Sequence, residues 1–289
     1  MPLKRHHALL PETAGMMALH RPYKPSNRRH SWNEVMSIRG EDGYELWLRY
    51  RPVDNAERLA QYRQAISSAA VPGTSATAAL IRRELGRALP ALLDSAVPIA
   101  DKPIGKALVV GTIDELETIL PLTLALSHLL RRESWREGGF VIRSQQVGND
   151  TWTLITGNSA PAVLTGTFHF LRLLQTHQDI NALDLASRPR IRQRILAHWD
   201  NLDGSIERGY AGRSLWRWDE LPQNIDPRYH DYARACASIG INGTCLNNVN
   251  AHAKSLTSAY LEKTAALADV FRPYGLRLYL SPNFAAPIQ

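Results

Sequence analysis

Three carboxylates, Asp200, Asp203 and Glu207, fall within eight residues of the stretch HWDNLDGSIERGYAGRSLWRW (198–218), beside Trp199, Arg208, Tyr210, Trp216 and Trp218. A pair of carboxyls can break an acetal bond by general acid/base chemistry, one protonated and the other ionised. Aromatic faces stack on the C–H face of a sugar, and Asp, Asn, Glu and Arg side chains bond hydroxyls with defined geometry. The stretch shows no helical or strand period, so no regular element is expected to bury its rings. The rings of Tyr210, Trp216 and Trp218 favour packing over disorder, and the loop suits a polyol ligand. A self-packed Ω-loop is the alternative. Three carboxyls this close in sequence lie on one side of a substrate, whereas inverting hydrolysis needs two roughly 6.5–9.5 Å apart on opposite faces. The loop is therefore not expected to supply both. Gly204, Gly209 and Gly212 follow no dinucleotide pattern and lack the Lys-Ser/Thr ending of a phosphate cradle.

A second polar group, Asn247, Asn248, Val249 and Asn250, ends the apolar run INGTCL. Amides offer paired donors and acceptors without charge, which suits hydroxyls, although Asn also favours turns through its own backbone bonds. Strand residues alternate faces, so Trp199 and Asp200 are not expected to point into one site together; one of them holds the loop instead.

The elements that position these groups are legible from periodicity. GYELWLRY (43–50) alternates and predicts a strand. Residues 75–93 carry a helical period with Ser75 as N-cap. Residues 106–112 read as a buried strand. Residues 112–132 read as a helix opened by a Thr112/Glu115 capping box. GFVIRSQQV and TWTLITG form a hairpin around GND (148–150), and 159–177 close the region as a helix. The expected order, β-α-β-α-β-β-α, is an α/β layer with helices on a mixed sheet. From Ile195 the pattern becomes strand (195–200), long loop, helix (227–240), strand (241–251), helix (255–275), strand (276–284), each strand ending in polar groups. That is the pattern of a (β/α)8 barrel, whose site lies on the loops at the strand C-terminal ends. Such a barrel takes about 250 residues, and only 95 of the 289 remain from Ile195. The expected fold class is thus an N-terminal α/β sandwich domain followed by the first three βα units of a truncated (β/α)8 TIM barrel. The expected divisions are a basic tail at 1–35, the α/β domain at 36–187 and the incomplete barrel at 188–289.

Composition narrows the function classes. A 44% hydrophobic and 21% charged chain is that of an ordinary globular protein. The net charge is +7, but Lys4, Arg5, Arg21, Lys24, Arg28 and Arg29 against Glu12 place +5 of it in residues 1–30. The charge is therefore a basic arm rather than a nucleic-acid surface, and no nucleic-acid partner is expected. No apolar run reaches the roughly 18 residues of a membrane span, so no membrane partner is expected. Cys236 and Cys245 have neither disulfide nor metal spacing and read as buried thiols. The N-terminus shows no apolar signal region, which favours a cytoplasmic location, or a secreted one if a leader is missing.

The blocks HWDNLDGSIERGYAG, DYARACASIGINGTCLNNVNA and LADVFRPYGLRLYLSPNFAAPI resemble the signature blocks of glycoside hydrolase family 67, the α-glucuronidases, densely from about Arg188 to Ile288. SAPAVLTGTFHFLRLLQ is the most family-like segment upstream. The resemblance implies a xylan α-1,2-glucuronidase that releases glucuronic or 4-O-methylglucuronic acid from glucuronoxylo-oligosaccharides with inversion and without metal or organic cofactor. It implies that Trp199 and Val249 line the uronic acid pocket. Asn247, Asn248, Asp200, Glu207, Arg208 and Tyr210 complete the candidate substrate-binding set. The family's catalytic carboxylates belong to later barrel strands, so they are expected beyond Gln289, and the 289 residues alone are expected to be inactive. A homodimer is the expected assembly of the full-length protein. The rival readings are another barrel hydrolase of the hexosaminidase type and a non-catalytic sugar-binding subunit.

Overall fold

The structure, a computed structural model, describes residues 42–120, 128 and 138–283. The described residues from Trp47 onward form one compact unit. Its first sheet holds β1 (Ser68–Ala70), β2 (Ile99–Ala100), β3 (Ala107–Thr112), β4 (Phe140–Val147), β5 (Asp150–Gly157) and β6 (Asp184–Ser187) in the order β2-β1-β3-β5-β4-β6. The β1–β2, β1–β3 and β3–β5 pairs are parallel, and β4 runs antiparallel to both β5 and β6. The expected mixed sheet is present, and so is the hairpin, in which Val147 faces Asp150 across the turn.

Each strand of this sheet sorts its side chains by parity. Leu108 and Val110 join the large core with α1 (Ala56–Ala65), α2 (Ala76–Leu93) and α4 (Ala160–Gln175), while Ala107 and Val109 join a smaller cluster with Leu116 and Leu120. Both faces of β3 are covered, which is why it reads as a continuous apolar run. Ser75 caps α2 by accepting from the Ala78 N–H at 3.1 Å. Thr112 and Glu115 form the predicted reciprocal box at the start of α3 (Ile113–Glu117); residues 121–127 and 129–132 of that expected helix lie outside the described residues, as does the basic tail. Gly166 lets α4 approach the sheet, because a Cβ there would stand 3.0 Å from Ile155 and 3.1 Å from the Phe140 ring.

The predicted strand at 43–50 is instead a turn and a 3-10 helix at Leu46–Leu48. Leu46 and Tyr50 take positive φ, 52° and 41°, which interrupts any extended run. The Trp47 and Leu48 carbonyls accept from the Gln175 amide and the Arg234 guanidinium rather than from a neighbouring strand.

The second sheet is β7 (Ile195–Ala197), β8 (Gly243–Cys245) and β9 (Arg277–Tyr279), in that order and all parallel. Helices α5 (Pro227–Ser238) and α6 (Ser258–Phe271) connect them. The pattern is that of successive βα units, with strands shorter than expected because only three residues of each keep ladder bonds. Gly240, φ 78°, follows the end of α5, and Gly275, φ 72°, ends the turn after α6; a left-handed residue there is the usual helix stop. The change from mixed to all-parallel sheet falls between β6 and β7, in residues 188–194 without regular structure.

One hydrophobic cluster runs from Ile142 and Ile155 through α2 and α4 to Tyr229, Ala233 and Phe271. At its centre Arg234 of α5 forms a two-pronged bond to Glu84 of α2, at 2.8 and 2.7 Å, and Tyr50 donates to the same carboxylate at 2.5 Å. Burial alone would pull the Arg234 pKa down, but the Glu84 carboxylate outweighs it and holds the guanidinium above its ordinary value. Burial, and then Glu84, push the Tyr50 phenol well above the tyrosine range, so it remains a donor. Cys236 is buried in this layer and its thiol is pushed up to about 11 by that burial, whereas Cys245 is only half-buried. Among the described residues no helix is long and apolar enough to cross a membrane.

Candidate functional site

The C-terminal ends of β7 and β8 meet at one rim. The Asn248 N–H donates to the Asp200 carbonyl at 2.8 Å, which places Trp199 and Asp200 beside the Asn247–Asn250 run. Trp199 is 49% exposed and Asp200 only 3%, so one is at the surface and the other holds the loop, just past the end of β7. Asp200 holds the loop: its Oδ2 accepts from the Ser214 hydroxyl at 2.5 Å, and its Oδ1 lies 3.7 Å from His198 Nδ1. The other imidazole nitrogen is 2.9 Å from the Tyr232 hydroxyl, which sits 2.8 Å from Thr244 Oγ1 on β8. Burial, the largest cause, pushes the Tyr232 phenol far above the ordinary range. A chain of side chains thus runs from the loop through β7 and α5 back to β8, beneath the exposed indole.

The loop closes on itself through backbone bonds. Glu207 N donates to Trp199 O at 2.8 Å, and Ser214 N to Gly204 O at 2.9 Å. Asp203 accepts from the Ser205 hydroxyl at 2.6 Å and its amide at 2.9 Å. The hydroxyl first, then the amide, hold the Asp203 carboxyl below its ordinary value, so it stays ionised. Glu207 takes a left-handed turn, φ 58°, and is half-buried, while Arg208 and Tyr210 are exposed beyond it. Tyr210 is 75% exposed; slight desolvation, and then Glu207, raise its phenol.

Trp216 and Trp218 are not on this surface. Trp216 is 1% exposed and packs edge-on to His198 and Tyr232, with centroids at 5.3 and 5.2 Å, and against Tyr229 and Phe271. Trp218 lies against Tyr260 of α6. These rings pin the loop to α5 and α6, the packing that the sequence favours for them over disorder. Trp199 and Tyr210 are the loop rings left at the surface.

The amide run divides in a similar way. Asn247 is buried and clamps the loop after β9, donating to Ser281 O and accepting from Ser281 N at 2.9 Å each. Asn248 Oδ1 accepts from Asn250 N at 2.9 Å, an Asx turn that presents Val249 at 56% exposure. The rim therefore shows an exposed indole after β7 and an exposed isopropyl group after β8, with Asp200, Asn247 and Asn248 buried between the two loops. His198, Ser214, Tyr232 and Thr244 were not singled out from the sequence. His198 and Asp200, two apart just past the end of β7, carry the signal that was available. Tyr232 becomes part of the network only through the fold.

An α/β chain with successive parallel βα units, and an indole, amides and carboxylates gathered at the strand ends, has the build of a glycoside hydrolase. The family model described as Glycosyl hydrolase family 67 N-terminus matches residues 46–170, and that of the family 67 middle domain matches 173–289. The chain belongs to glycosyl hydrolase family 67. It is 34% identical over 263 residues to "Alpha-glucuronidase A" of Emericella nidulans, covering 86% of this chain and 29% of that protein. It is also 34% identical over 259 residues to "Probable alpha-glucuronidase A" of Aspergillus oryzae, covering 88% and 29%. The chain thus spans less than a third of the length of these relatives. Among solved structures, a family GH115 4-O-methyl-α-glucuronidase superposes on 73% of this chain and 28% of its own, with a TM-score of 0.49 and 13% identity.

Proposed function

We propose that this chain is part of an inverting xylan α-1,2-glucuronidase, which removes glucuronic acid or its 4-O-methyl ether from xylo-oligosaccharides. The observation that carries this reading is the rim, where half-exposed Trp199 and exposed Val249 follow adjacent parallel strands joined by the Asn248–Asp200 bond. An indole face and an isopropyl group give an apolar wall for a pyranose ring and a methyl ether. The three parallel strands and the two helices between them support the start of a (β/α)8 barrel, with this rim at the end where such barrels carry their sites.

In the proposed reaction a general base takes a proton from water, whose oxygen bonds to the anomeric carbon on the face opposite the leaving xylose. A general acid gives its proton to the departing glycosidic oxygen. Asp200 is committed to Ser214 and buried, and Asp203 is committed to Ser205, so neither is suited to that exchange. We assign acid and base to the part of the relatives' length that this chain does not span. Glu207, Arg208 and Tyr210 then belong to the edge of the pocket, where they meet the xylan chain.

Aldouronic acids test this directly. The full-length protein should release the uronic acid as the β-anomer first, followed by proton NMR during turnover, and the 289-residue chain should release none. Release of the α-anomer first would contradict inversion. Turnover by the 289 residues alone would contradict the placement of acid and base. Binding by the full-length protein without turnover would identify a sugar-binding subunit instead.

A further inference from the structure

Away from the rim, α2 presents Arg83 and Arg87 one turn apart to a pocket of about 110 Å³ between α2, α4 and α5. Like charges at this spacing repel each other along a helix. Neither guanidinium makes a hydrogen bond or ion pair among the described residues. The pocket is further lined by His230, Asp231, Arg234 and Tyr274. Arg234 already neutralises Glu84, the acid beneath it, through both carboxylate oxygens. Asp231 is the other acid of the lining, against Arg83 and Arg87, and the His230 ring lies 6.2 Å from the Tyr274 ring, centroid to centroid. The excess is positive. The volume is about that of three or four waters at roughly 30 Å³ each, which is room for one small oxyanion.

We propose that this pocket binds a small oxyanion, a phosphate or a carboxylate, held by Arg83 and Arg87 with His230 at its side. Planar guanidiniums match the paired oxygens of either group. The bound anion bridges α2, which lies on the first sheet, to α5, which connects β7 and β8. Its binding therefore stabilises the packing of these two helices rather than acting on the rim chemistry.

Thermal unfolding in sodium phosphate, with sodium chloride matched in ionic strength, tests the site. The midpoint should rise with phosphate and saturate, by linkage to a single site, and chloride should not reproduce it. The exposed double variant Arg83→Gln/Arg87→Gln should need at least about tenfold more phosphate for the same rise, the loss expected for one charge-assisted contact. The single variant Arg87→Gln should move in the same direction, and it decides the matter if the double variant does not fold. Saturation by acetate in place of phosphate would assign the carboxylate as ligand. Equal responses to phosphate, acetate and chloride, or an unchanged phosphate response in the variants, would overturn the proposal.

Discussion

Replacing Arg234 with alanine should lower stability by about 3–5 kcal/mol, because Glu84 would be left charged and buried without its partner. In a unit of this size that corresponds to a fall in Tm of about 6–20 °C. The loss comes mainly from the stranded carboxylate rather than from the bond itself. The bond replaces water at both groups and returns only part of their desolvation cost. The double replacement Glu84→Met/Arg234→Met should therefore recover most of the loss, since it removes both charges and keeps apolar volume. Thermal or urea unfolding of the two variants checks this. A double variant as unstable as Arg234→Ala would show that the hydrogen-bonded pair itself, with Tyr50 and the Leu48 carbonyl, contributes the stability.

Trp216→Ala should cost a similar 3–5 kcal/mol by opening a cavity among His198, Tyr229, Tyr232 and Phe271. Trp216→Phe should cost much less, about 1.5 kcal/mol or below. The indole N–H is buried without a hydrogen-bond partner among the described residues, so phenylalanine removes an unsatisfied donor as it gives up area. The alanine variant should also expose the loop at 201–213 to proteolysis before global unfolding, because its anchor to α5 and α6 is gone. Equal stability of the alanine and phenylalanine variants would contradict the packing role.

The parts of the fold that were legible were those whose neighbours in sequence are also neighbours in space. The period of 76–93, the Thr112–Glu115 box, the GND hairpin and the βα rhythm after Ile195 are local signals, and the structure contains each of them. The strand expected at 43–50 failed because alternation does not supply a partner; its carbonyls were claimed by Gln175 and Arg234, far away in sequence. Strands of two to four residues, such as β1, β2 and β6, are too short to show a period.

In the site, expected alternation separated Trp199 from Asp200, which both lie just past the end of β7. It could not separate Tyr210 from Trp216, since the loop has no period and α5 and α6 decide which ring turns inward. Asn247 and Asn248 show a further limit. An amide that recognises a hydroxyl and one that braces a loop are the same residue type, and here Ser281 and the Asn250 amide have claimed them.

The most direct test of the account is the value of kcat/KM on 4-O-methylglucuronoxylo-oligosaccharides for the full-length protein and its Trp199→Ala variant. If the indole is the wall of the uronate pocket, the variant should lose about 10- to 100-fold, equivalent to about 1.4–2.7 kcal/mol of transition-state binding. Half-exposed Trp199 should contribute little to folding, so the Tm should barely change. An unchanged kcat/KM in a folded variant would place the sugar elsewhere and contradict the account.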